Sequence, residues 1–205
     1  MTDFLEGWEN RQNSIIVFAG VFDPVHNGHL SAAKKALHYG SKVVFLPERV
    51  PQHKHGATAY KHRLNMLRIA TEDNSDFVVL DYPNDHHWVV ETFEWLQKQY
   101  PGANFVWLVG QDVEGSMSSW PGIEKLKELS VEMIIVMGRE HKFSTYLDEL
   151  EGVPVIHVHR PLQADYKVSS SRIRVNLALY TGDIPIGVLD YITKNRLYSF
   201  ESSST

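Results

Sequence analysis

Ten residues, Gly20 to His29, constrain this chain more than any others. They read G-V-F-D-P-V-H-N-G-H. Residues 15–19 ahead of them, Ile-Ile-Val-Phe-Ala, form a continuous β-branched and apolar run, as in a strand buried on both faces. Residues 30–37 behind them, Leu-Ser-Ala-Ala-Lys-Lys-Ala-Leu, are rich in helix formers and carry apolar side chains at helical spacing. The ten residues are therefore a strand-to-helix turn. In an open α/β sheet such a turn lies at the carboxyl end of its strand, where ligands bind.

The turn has the chemistry of an anion site. Gly20 lets a ligand approach the backbone closely, and Gly28 frees the turn at the helix start. The helix start itself offers N–H groups and the positive end of the dipole. His26 and His29 lie one turn apart on one side of it. Imidazoles there donate to phosphate oxygens, and their charge responds to the phosphate. The same histidines could instead cap the helix in a polar loop, or share a zinc ion from positions i and i+3. The ordered set of strand, two glycines, Asp23-Pro24 and paired histidines favours a phosphate site over the cap. The lack of a carboxylate or cysteine at a useful spacing argues against zinc.

At 205 residues the chain suits one domain with a full core, assigned to residues 14–200. Residues 1–13 are a leader with Phe4, Leu5 and Trp8 able to pack on the body, and residues 201–205 a polar tail. The net charge of −5 argues against a nucleic-acid or anionic-membrane partner. No apolar run approaches the roughly 20 residues that span a bilayer. The leader is acidic, without the basic start and apolar core of a signal peptide, so a cytoplasmic location is expected. With no cysteine, disulfides, thiol catalysis and cysteine metal sites are excluded.

Downstream, strands alternate with helices. Residues 42–47, 77–80, 105–109, 133–137 and 153–159 are further apolar runs of strand length. Helices are expected over 60–71, with Leu64, Leu67, Ile69 and Ala70 as its apolar face, and over 88–100, with Val89, Val90, Phe93 and Leu96. A short helix is expected over 146–150. The pattern predicts a Rossmann-like, doubly wound parallel sheet of five to six strands with right-handed crossovers and a small C-terminal helical subregion.

Several segments between these elements carry candidate chemistry. The loop at 50–56 is polar and cationic: it is either a solvated basic loop or a mobile phosphate clamp with Lys54 as a point charge. Gly110 and Asp112 follow the fourth strand, where an aspartate can simply cap the next helix. Residues 168–174, V-S-S-S-R-I-R, place three hydroxyls at a helix start that runs on to Gly182. Ser169, Ser170 and Ser171 could be redundant caps. Together with the Arg174 fork they could also form a second anion site. His157 and His159 share a strand face and are read as packing or edge residues, as are His86 and His87.

These motifs together resemble a known family. The stretch around His26 and His29 looks like the H-x-G-H signature of the nucleotidyltransferase superfamily. Its longer form, F-D-P-V-H-N-G-H-L, is similar to the bacterial nicotinate/nicotinamide mononucleotide adenylyltransferases. V-P-Q-H-K followed by Arg63 and Met66-Leu67 resembles the family's P-P-H-K loop and the helix after it. S-S-S-R-I-R resembles its I-S-S-T-x-I-R motif, and the resemblance extends from Ile15 to Tyr198. The chain departs from the family at Ala19-Gly20-Val21, where Gly-Gly-Thr or Gly-Gly-Ser is usual, and at Trp88-Val89, where Tyr-Thr is usual.

The resemblance implies transfer of the adenylyl group of ATP to the 5′-phosphate of a pyridine mononucleotide, with pyrophosphate released. It implies His26, His29, Lys54 and Arg174 as the catalytic set. Gly20, Phe22, Asp23, Gly28, Thr92, Gly110, Asp112, Trp120, Ser169, Ser170 and Ser171 would bind substrate. Asp112 would hold a ribose, and Trp120 would lie near the pyridine ring, although an indole there can equally be a core aromatic. Mg²⁺ would bridge triphosphate oxygens with few or no protein ligands. A homo-oligomer is left open. The rivals are a relative with another phosphorylated acceptor and a nucleotide-binding protein without catalysis.

Overall fold

The computed structural model describes residues 13–51, 56–85, 88–138, 147–159 and 168–198. The expectations placed on residues 1–12, on Lys54 and the rest of its loop at 52–55, and on His86, His87, Tyr146 and 201–205 lie outside the described residues.

The first strand, β1 (Ser14–Gly20), shows why the sheet is buried on both faces. Ile16 and Phe18 enter one apolar cluster, while Ile15 and Val17 enter another on the opposite face. The same division recurs in β2 (Lys42–Pro47), where Val43 and Phe45 oppose Val44 and Leu46. It recurs again in β4 (Asn104–Gly110), where Val106 and Leu108 oppose Phe105 and Trp107. Strands with two apolar faces need cover on both, and crossover helices supply it.

With β3 (Phe77–Val79), β5 (Val131–Gly138), β6 (Glu149–Leu150) and β7 (Val153–His159), the order is β3-β2-β1-β4-β5-β7-β6. All pairings are parallel except β6 with β7. The helices α1 (Asn27–Ala36) and α2 (Tyr60–Thr71) cover the first face, together with α4 (Ser170–Val175) and α5 (Ile186–Lys194). The second face is covered by α3 (Val89–Gln99) and short 3₁₀ turns after β4.

Two expectations are corrected. The sheet has seven strands, not five or six, and residues 149–150 of the expected short helix are strand β6. Glu151 and Gly152 explain this, with φ of 50° and 77°. Two successive left-handed residues make the two-residue turn that closes a hairpin, and Leu150 pairs with Val153 across it. The helix expected to run from residue 169 to Gly182 also breaks. Asn176 is extended (φ −149°), and a 3₁₀ stretch, Leu177–Asp183, follows.

The sheet's order turns back on itself between β1 and β4, because the chain leaves β1 for β2 on one side and returns to β4 on the other. The crevice of such a sheet opens at that switch, outside the carboxyl ends of the two strands. Gly20 ends β1 and Gly110 ends β4, so both sequence motifs reach it.

Candidate active site

The turn after β1 is built on its aromatic residue. Phe22 holds φ at 50°, a region that costs a bulky residue about 1–2 kcal/mol. Its ring compensates by sitting edge-on to Phe18 and Phe45, with centroids at 5.3 and 5.8 Å. The ring is 3% exposed, so the expected substrate contact of Phe22 falls to its backbone. A Cβ at Gly20 would lie 3.5 Å from the same ring.

His26 caps α1 with its imidazole: Gly28 N–H donates to His26 Nδ1 at 3.1 Å. The His26 N–H in turn donates to His29 Nδ1 at 3.3 Å, and the two rings lie 3.8 Å apart. Both Nδ1 atoms accept, so the neutral rings carry their protons on Nε2. Gly28 sits inside the first helical turn, and its use is this N–H rather than a left-handed conformation.

The second motif docks directly on the first. Ser170 Oγ donates to the Pro24 carbonyl at 2.9 Å, and Arg174 Nη1 donates to the Asp23 carbonyl at 2.7 Å. Ser169 caps α4 by accepting from the Arg172 N–H at 3.3 Å, and Arg174 Nη2 lies 3.5 Å from Ser171 Oγ. The fold thus gathers His26, His29, Asp23, Ser169, Ser170, Ser171 and Arg174.

Asp23 turns inward. It is 1% exposed, and its carboxylate accepts from the Thr58 N–H at 3.0 Å and from the Tyr198 hydroxyl. Its side chain is therefore occupied within the protein rather than presented to a substrate.

The residues expected to meet the ribose and the pyridine ring lie elsewhere, after β4 and at the start of α3. Asp112 is exposed two residues after Gly110. Thr92 is buried and donates to the Trp88 carbonyl at 3.1 Å, inside the first turn of α3. Trp120 is half-buried against Trp107 at 5.8 Å. A type II turn sets it there: Gly122 has φ 79° and ψ 5°, and Ile123 N–H donates to the Trp120 carbonyl at 3.3 Å. A Cβ on Gly122 would meet Val90 Cγ2 at 2.3 Å. Gly122→Ala should therefore cost about 3 kcal/mol in urea unfolding, from overpacking plus left-handed strain. A loss below about 1 kcal/mol would mean that α3 yields there easily.

Three supports lie outside the expected catalytic and substrate-binding residues. Arg63 is 1% exposed and spans three segments, donating to the carbonyls of Thr58 (2.8 Å), Val21 (2.8 Å) and Arg49 (2.9 Å). Burial pushes its guanidinium below the ordinary arginine range, and the Asp23 charge acts against that. A signal was present, since Arg63, Met66 and Leu67 share one helix face at i, i+3 and i+4. Tyr198 reaches Asp23 from the far end of the sequence. Glu114 is buried, accepting from Leu147 N–H at 3.1 Å with Oε1 2.6 Å from His157 Nε2. His157 thus ties β7 to the segment after β4 through a polar bond, where packing or an edge position was expected.

Comparison with known proteins places these observations in context. Residues 17–176 match the model of the cytidylyltransferase-like family. A probable nicotinate-nucleotide adenylyltransferase of Bacillus mycoides is 33% identical over 192 residues, covering 89% of this chain and 96% of the relative. One of Trichormus variabilis is 37% identical over 211 residues, covering 92% and 98%. Among solved structures, Plasmodium falciparum nicotinic acid mononucleotide adenylyltransferase complexed with NaAD superposes with a TM-score of 0.76 at 23% identity. It covers 93% of this chain and 99% of its own, and that likeness is one of fold.

Proposed function

The chain belongs to the cytidylyltransferase-like family, among its nicotinate-nucleotide adenylyltransferases, and from that premise we propose the reaction and the roles of its residues. The acceptor is nicotinic acid mononucleotide. Its 5′-phosphate attacks the α-phosphorus of ATP; the bond to the bridging oxygen breaks and pyrophosphate departs. The acceptor phosphate is itself the nucleophile, so no covalent enzyme intermediate is needed. The protein's task is to align two anions and to offset charge building on the α-phosphate and leaving group.

One observation carries this reading: the two candidate anion-binding motifs share a single loop, through contacts that span 146 and 151 residues of sequence. Arg174 and Ser170 bond the carbonyls of Asp23 and Pro24, directly before the paired histidines at the start of α1. The proton on each Nε2 makes His26 and His29 donors to phosphate oxygens. Arg174 supports the triphosphate with its fork, joined by Lys54 and the serines of α4. Gly20 and Gly110 line the crevice, Asp112 accepts ribose hydroxyls, and Trp120, on the turn packed against α3, lies toward the pyridine ring. Thr92 holds the start of α3 in place.

Mg²⁺ would enter with the ATP triphosphate, beside the residues that bind it, and would supply charge neutralisation there. Among the described residues, no three His, Asp or Glu side chains lie together as a metal site. Among them too, no helix is long and apolar enough to cross a membrane.

Pyrophosphate release with ATP and Mg²⁺ tests the reading, with nicotinic acid and nicotinamide mononucleotides in separate reactions. Turnover with both, at the higher kcat/KM for the nicotinic acid form, is expected. Silence with both while ATP still binds would shift the acceptor to another phosphorylated molecule.

A further inference from the structure

We infer that Tyr198 is a positioning residue: its hydroxyl occupies the Asp23 carboxylate, so that the carboxylate does not capture Arg174 and the guanidinium stays available to the triphosphate. The inference rests on the adenylyl-transfer reading above for what Arg174 does.

A buried carboxylate takes the strongest donors within reach, and a guanidinium is stronger than a neutral hydroxyl or amide. Arg174 is within reach. Its Nη1 lies 3.8 Å from Asp23 Oδ2, yet it spends its short bond, 2.7 Å, on the Asp23 main-chain carbonyl instead. Both carboxylate oxygens are already engaged by neutral donors, Thr58 N–H on Oδ2 and the Tyr198 hydroxyl on Oδ1. The second cation, Arg63, commits Nε, Nη1 and Nη2 to three backbone carbonyls. The Asp23 carboxylate thus takes its hydrogen bonds from neutral donors, feels the charge of Arg63, and holds Arg174 only in a loose ion pair at 3.8 Å.

Tyr198 is held for this task. Leu197 N–H donates to the Ile192 carbonyl at 3.0 Å, which folds the chain back beyond α5. Arg196 and Tyr198 both adopt left-handed backbone, with φ of 51° and 54°, conformations that a non-glycine residue keeps only where its surroundings enforce them. Burial, then donation to Asp23, pushes the phenol above its ordinary range, so the donor keeps its proton across physiological pH.

Losing the hydroxyl leaves Oδ1 without its donor and removes the bond that fixes the carboxylate's orientation. The carboxylate then turns to pair closely with Arg174, now 3.8 Å from Oδ2, and the guanidinium turns from the ligand. The test compares full-length wild type, Tyr198→Phe and the double variant Asp23→Asn/Tyr198→Phe. Phenylalanine keeps the ring and its packing, and thermal melts check the fold of each. Calorimetry with Mg²⁺ and ATP, alongside steady-state rates, should show Tyr198→Phe weaker for ATP by about tenfold, in both Kd and KM, the worth of one charge-assisted contact. kcat should change much less. The double variant should regain most of that affinity, because a neutral amide has no charge with which to hold a guanidinium. A purely structural tyrosine would instead give losses that multiply.

Wild-type ATP affinity in Tyr198→Phe, or a double variant weaker than Tyr198→Phe, would overturn the inference. The affinity measurements do not need turnover. A wild-type protein that binds ATP but transfers no adenylyl group would sink the proposed reaction and still leave the role of Tyr198 to be decided by Kd.

Discussion

His29→Ala should slow adenylyl transfer by about a hundred- to thousandfold, the usual cost of removing one preorganised donor to a developing oxyanion. The loss should fall mainly on kcat, because the donor is needed most where charge builds on the α-phosphate. The fold should survive. His29 is half-buried; deletion removes a 3.3 Å bond from the His26 N–H and an edge contact with Phe22, with centroids 5.1 Å apart. About 1 kcal/mol of stability is at stake there. His26→Ala is a different experiment, since it also deletes the cap of α1, and the two effects would be mixed. His29→Ala with near-normal turnover would remove the paired imidazoles from the mechanism.

The largest loss of stability is expected at a residue with no ligand to hold. Arg63→Met keeps most of the side chain's volume but removes the donors for three backbone carbonyls. The bond to Val21 is fully buried, and those to Thr58 and Arg49 are partly so. A buried acceptor left unmade costs roughly 1–3 kcal/mol, and water can reach two of these three, so about 3–5 kcal/mol is expected in urea unfolding. That is a large share of the 5–15 kcal/mol that holds a typical domain together. Arg63→Lys should lie between, since one ammonium cannot span three carbonyls in fixed directions. A loss below about 1 kcal/mol for the methionine variant would mean that water replaces the guanidinium at all three.

The motifs legible in the sequence were those contained in one short stretch. His26, His29 and Gly28 meet within a single helical turn, so spacing alone brings them together. The strand runs were legible because each alternates between two apolar faces. The strand β6 was not, since two residues carry no period, although Glu151-Gly152 does carry a hairpin signal. The docking of Ser170 and Arg174 on the Pro24 and Asp23 carbonyls was out of reach for another reason: it is set by main-chain acceptors, which every residue has. The inward turn of Asp23 depends on Thr58 and on Tyr198, 175 residues away, and no local pattern encodes that meeting. The sequence of Trp120 leaves it between core and ligand, and the fold rests it, half-buried, on Trp107.

The two ends of the sheet have a consequence for the chain's behaviour at high concentration. A sheet edge offers unpaired N–H and C=O groups to any strand that drifts past, including the same strand of another copy. Here the outermost strands are β3 and β6, three and two residues long. The long apolar strands that would template such growth, β1, β4 and β5, are interior and paired on both sides. Among the described residues, the sheet tapers from its most aggregation-prone sequences to its least, and the protein should stay dispersed while folded.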